Sequence, residues 1–80
     1  MSIIFSRHAK RRMLLYNIDE SDVVETIRNS DLDIEGQNKI EVVNKEMADK
    51  YGYPLKVVFT RKNDDVIVIS AFPFIRRQGA

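Results

Sequence analysis

Two runs late in the chain constrain its fold more than any other feature. Residues 54–60, PLKVVFT, and 65–72, DVIVISAF, are rich in Val, Ile and Phe, and RKNDD, which joins them, has the composition of a tight turn. They predict the central hairpin of a sheet, and the unbroken apolar stretch at 66–69 predicts that the last strand is well covered. Pro73 ends that strand, and residues 74–80 read as a flexible tail.

Upstream the hydrophobic period is different. SIIF, residues 2–5, is a short β-prone stretch, and Ser6 stands where a helix N-cap would. A first helix is expected over 7–16: at about 100° per residue Ala9, Met13 and Tyr16 share one stripe, with Asn17 suited to a left-handed stop. A second follows, with Asp19 as N-cap, Glu20 and Asp22 in the first turn, Val23, Val24 and Ile27 as the buried stripe, and Arg28 before the Asn29-Ser30 stop. From Asp31 the period becomes two. DLDIEG alternates acids with Leu32 and Ile34, Gly36-Gln37-Asn38 reads as a hairpin turn, and KIEVV resumes the alternation. Residues 45–53, KEMADKYGY, follow neither period clearly; a loop and a single helical turn both fit them, and they read as an irregular connection. The order predicts an α+β fold: a short N-terminal strand, an αα-hairpin, then a mainly antiparallel four-stranded sheet with helices on one face.

Eighty residues make one domain, 1–80, with an economical core. With no cysteine the chain has no disulfide, thiolate nucleophile or Cys-based zinc site. The start has no apolar run long enough for a signal peptide or membrane span, so a cytoplasmic location without a membrane partner is expected. The net charge of +1 conceals a division: residues 1–18 carry +4, residues 19–49 carry −7 and residues 50–80 carry +4. A fold that brings the ends together would make one face attractive to a polyanion; otherwise the charges are simply interspersed over the surface. There is no glycine-rich nucleotide loop, HExxH, EF-hand or G-x-S-x-G elbow, and no cofactor is expected. Asp64-Asp65 reads as turn composition and Asp31-x-Asp33 as the wet side of an edge strand, so no metal site is assigned to them.

The segment SRHAKRRM holds the single histidine and Arg7, Lys10, Arg11 and Arg12. His8 can exchange protons near neutral pH, and Arg12, one turn on, can grip a phosphate oxygen. Metal-independent RNA cleavage needs a base for the 2′-hydroxyl, an acid for the leaving 5′-oxygen and fixed positive charge for the transition state. One histidine cannot fill both proton-transfer roles, so Tyr51, Tyr53, Lys56 and Arg61, near or on the strands that a helix could face, are candidates to join His8 and Arg12, with Lys56 and Arg61 foremost. Arg7, Lys10, Arg11, Tyr53, Arg76 and Arg77 are candidate RNA contacts. The structural alternative is that His8 caps or packs at the helix start and Arg12 pairs with an acid of the middle segment. Phe5, Phe59 and Phe72 read as core, and Phe74 as the phenylalanine available to a partner or RNA.

FSRHAKRRMLLYNIDESDVVETIRNSD resembles the opening of a family of small bacterial and archaeal domains of unknown function, whose first helix carries H-A-x-x-R-M before a helix-ending R-G-I-[ST]. His8, Ala9, Arg12 and Met13 match, and PLKVVFTRKNDDVIVISAFPF looks like the closing hairpin of that family. Where the family has Arg-Gly, this chain has Tyr16-Asn17, and Asn can adopt the same backbone form. The family is similar in element order to the RelE, ParE and BrnT toxins of toxin-antitoxin modules. The resemblance implies a RelE-like fold and metal-independent mRNA cleavage, restrained by a cognate antitoxin. Two other readings stand beside it: a non-catalytic module that binds RNA or protein through the basic helix and tail, and an interaction subunit that uses a strand edge or the acidic middle.

Overall fold

A computed structural model describes residues 2–30 and 39–75. Strand β1 (Ile3–Phe5) leads into helix α1 (Arg7–Tyr16) and helix α2 (Glu20–Arg28); strand β2 (Ile40–Asn44), a 3₁₀ turn (Lys45–Met47), the short helix α3 (Ala48–Tyr51) and strands β3 (Leu55–Lys62) and β4 (Asp65–Pro73) complete the order. The four strands form one sheet in the order β1-β4-β3-β2, antiparallel except for the parallel β1–β4 pair. The α+β expectation holds, with β3 and β4 central. The strand and turn expected over 31–38 lie outside the described residues.

Local chemistry sets the helix ends. The extended Ser6 accepts a hydrogen bond from the Ala9 N–H at 3.0 Å and donates its hydroxyl to the Ile69 carbonyl at 3.0 Å, so one side chain caps α1 and ties it to β4. At the other end Asn17 is left-handed, φ 56°, and the Ile18 N–H reaches back to the Met13 carbonyl at 2.8 Å. This Schellman closure drives Ile18 into the core. Asn17→Ala should therefore cost about 1 kcal/mol and lower the melting temperature by about 4–8 °C, whereas Asn17→Gly should leave it nearly unchanged. Equal melting curves for the two variants would contradict that account.

The core lies between the helices and one face of the sheet. Ala9 and Met13 of α1, Val23 and Ile27 of α2, and Ile18 between them meet Ile40, Leu55, Val57, Phe59, Val66, Val68 and Ala71. Tyr16, expected on the α1 stripe, is 36% exposed; it lies at the stripe's margin, and Ile18 fills the place beyond the helix end. On α2, Val24 is only half-buried, and Thr26 is 2% exposed instead. Its hydroxyl donates to the Asp22 carbonyl at 2.8 Å and accepts from Asn44 Nδ2 at 3.0 Å, which satisfies the buried oxygen and ties α2 to β2.

Within the central pair, Val58 faces Ser70 while Phe59 faces Val68, so Ile69 is an extra residue in β4. This bulge changes the side-chain parity of the strand. Val66 and Val68 before it and Ala71 after it consequently all reach the core. Left-handed Asn63, φ 57°, opens the two-residue turn from β3 to β4. The irregular connection expected at 45–53 is in fact two tight helical turns. Asn44 Oδ1 caps the first through the Glu46 N–H at 3.1 Å, and Gly52, φ 81°, closes the second with its N–H on the Ala48 carbonyl at 2.8 Å. Neither turn is long enough to show a period. Phe74 also extends the β3–β4 pairing, since its N–H meets the Pro54 carbonyl at 2.7 Å.

Candidate functional site

The arc of α1 opposite Ala9 and Met13 is cationic at its start and apolar at its end. Arg7, His8, Lys10 and Arg11 are exposed and make no ion pair with any described residue. Leu14 and Leu15 follow them at 83% and 70% exposure. No acid stands in the first turn and no base in the last, the reverse of what a helix dipole favours. The cations therefore add to the partial positive charge of the helix start instead of offsetting it.

His8 and Arg12 lie one turn apart on the same flank, as the spacing requires. His8 is exposed, while Arg12 is half-buried and donates Nη1 to the Tyr16 hydroxyl at 3.4 Å. A concavity of about 290 Å³ beside α1, lined by Lys10, Met13, Leu14, Asn17, Ile18 and Glu20, lies on the opposite flank.

Of the other two residues expected to join them, Lys56 is placed differently. Lys56 falls between the core residues Leu55 and Val57, so strand alternation sends it to the sheet face away from the helices. There Nζ pairs with Glu41 Oε1 at 2.8 Å and stands 4.9 Å from the Phe74 ring centroid and 6.0 Å from that of Phe72. The hydrogen bond from Lys56 holds the Glu41 carboxyl below its usual range. Arg61, half-buried, sits near the hairpin end in register with Val66. The structure therefore leaves His8 and Arg12 on one flank of α1 and does not bring Lys56 to them.

Tyr53, 46% exposed, lines a groove of about 500 Å³ with Val43, Lys45, Ala48, Pro54 and Phe74. Arg76 and Arg77 lie outside the described residues.

One polar cluster has no counterpart in the sequence reading. Asp22 Oδ2 accepts from Lys50 Nζ at 2.7 Å and from the Tyr51 hydroxyl, and Lys50 also reaches Asp19 Oδ2 at 2.9 Å. The Asp19 N–H donates to the Tyr51 hydroxyl at 3.1 Å, completing a clasp between the start of α2 and α3. Asp19 thus holds the N-cap position while its carboxylate serves Lys50. The acids of the α2 first turn were visible as dipole partners, but their cross-chain partners carry no local signal.

Hydrogen bonds from Lys50 and Tyr51 hold the Asp22 carboxyl below its ordinary value; Asp22 and Asp19 raise Lys50, and burial followed by the Asp22 contact raises Tyr51. A lowered carboxyl stabilises the fold above its unfolded value, about 3.9, and loses that contribution as pH falls through the lower folded value. The raised ammonium contributes below its unfolded value, about 10.4, and loses its contribution above the folded one. The stability deficit of Asp22→Asn should hence be steady from about pH 5 to 8 and shrink on acidification below about pH 4. Thermal melts of both proteins across that range check it, and a deficit that grows in acid would contradict the clasp.

No described helix is long and apolar enough to cross a membrane. Comparison with curated proteins and with solved structures gives no match. Comparison with family models does match, over residues 5–73, which runs from the last residue of β1 to the last of β4 and takes in α1, the groove wall at Tyr53 and the Asp22 clasp. The chain therefore belongs to the family described as Domain of unknown function (DUF4258).

Proposed function

We propose that this domain binds RNA through the outward arc of α1. The observation that carries the reading is the placement of Arg7, His8, Lys10 and Arg11, exposed and without ion pairs to described residues, at the helix end whose dipole already favours anions. Cations in that position weaken the helix slightly, so they have no role in its stability, whereas phosphates would meet both the side chains and the dipole. Binding without cleavage fits the geometry best. Metal-independent cleavage needs proton-transfer groups and fixed charge around one phosphate, and Lys56 is turned to the far face and engaged with Glu41.

A toxin-type ribonuclease, restrained by an antitoxin, is the second reading. It is favoured by one observation: His8 is exposed on the same flank as Arg12. Incubating purified protein with RNA in EDTA separates the two. Retention of intact RNA that weakens steeply with salt is the expected result. Cleavage products that disappear with His8→Ala would establish the ribonuclease instead, and neither retention nor products even at low salt would end both readings.

A further inference from the structure

We propose that the groove between the 3₁₀ turn, Tyr53 and Phe74 is a stacking site for a phosphate-bearing nucleobase, separate from the α1 arc. The proposal rests on the reading that RNA is the ligand, and adds a contact that reads bases where α1 meets only charge. The groove lies beside the β2 edge on the sheet face away from the helices: Val43 alternates with the core-facing Ile40 and Val42, and Lys56, whose ammonium covers Phe74, points to that same face.

Its volume of about 500 Å³ is within the usual range for small-ligand clefts. Two of its six lining residues are aromatic, Tyr53 and Phe74, with Pro54 next to Tyr53 in the chain. Phe74 is fixed by its backbone bond to Pro54 at 2.7 Å, so one wall is already ordered. The Lys56 ammonium, 4.9 Å from the Phe74 ring centroid, is already paired with Glu41 at 2.8 Å, so among the lining residues Lys45 is the cation offered to a ligand. Lys45, also in the lining, is exposed and makes no ion pair with a described residue. An aliphatic occupant would gain buried area alone. A flat base gains stacking against the rings, and the phosphate attached to it gains Lys45.

Backbone-amide NMR of the full chain tests this with three probes: uridine monophosphate, a short oligouridine, and an abasic ribose-phosphate oligomer of equal length. Oligouridine should shift the amides of Val43, Lys45, Tyr53 and Phe74, while the abasic oligomer should shift those of α1 and leave the groove still. Shifts at the groove with the monophosphate as well would identify a site that takes free nucleotides; with oligouridine alone, a site that needs the strand. Tyr53→Ala should weaken oligouridine binding by about 5- to 100-fold and Tyr53→Phe should restore it. Groove amides that ignore both uridine probes, or that respond equally to the abasic oligomer, would overturn the proposal. Silence at α1 with all three probes, beside a responsive groove, would overturn the α1 reading alone.

Discussion

Phe59→Ala should come close to unfolding the domain. Phe59 is fully buried on a central strand, in register with Ile40 on one side and Val68 on the other. Its ring belongs to the core cluster that also holds Ala9 and Met13 of α1 and Val23 and Ile27 of α2, and truncation removes its transfer energy and leaves a cavity, together about 3–5 kcal/mol. A domain of this size has roughly 4–12 kcal/mol in total, so about a quarter or more of its stability would go. At 4–8 °C per kcal/mol the melting temperature should fall by about 12–40 °C. Thr60→Ala, the next residue on the strand but half-buried on the opposite face, is the control and should change it by only a few degrees. Similar losses at the two positions, read by urea or thermal unfolding, would mean that the assignment of faces is wrong.

The second large effect is on binding, and its sign differs from that on stability. In Arg7→Gln/Lys10→Gln/Arg11→Gln, three cations leave the α1 arc. If each met one phosphate of a single strand, the slope of log affinity against log salt should fall by about 2, and affinity at moderate salt by roughly 10- to 100-fold. The same changes relieve the unfavourable charge at the helix start and the like-charge pair Arg7/Arg11 one turn apart, so thermal stability should rise by a few tenths of a kcal/mol or more. Weaker RNA binding with an unchanged or higher melting temperature is the expected pair of results. Loss of both together would mean that the arginines and lysine hold the fold, and the α1 reading would fail.

What was legible in the sequence was what is decided within a few residues. Ser6 and Asn17 mark the ends of α1 because capping and left-handed closure are local events, and Asn63 marks the last turn for the same reason. The bulge at Ile69 was not legible. In VIVISA every neighbouring residue is apolar or small, so a strand with one extra residue reads the same as one without it. Alternation could show that Lys56 and Val57 point to opposite faces, but not which face the helices cover. That depends on α1 folding back over β4 and decides that Lys56 stands away from His8. Thr26 was missed because its partner, Asn44, is eighteen residues away in sequence.

The parallel pairing of Ile3–Phe5 with Val66–Val68 joins the first strand of the domain to its last. During synthesis the first strand and the Ser6 hydroxyl have no strand to dock on until β4 has been made, because β1 pairs with Val66–Val68 and Ile69 accepts the Ser6 hydroxyl. Contacts of such long sequence separation are made slowly, and a nascent chain stopped before β4 would leave the apolar stripe of α1 open to solvent. The domain is therefore expected to fold in a single step once β4 is available, and not progressively from its amino terminus.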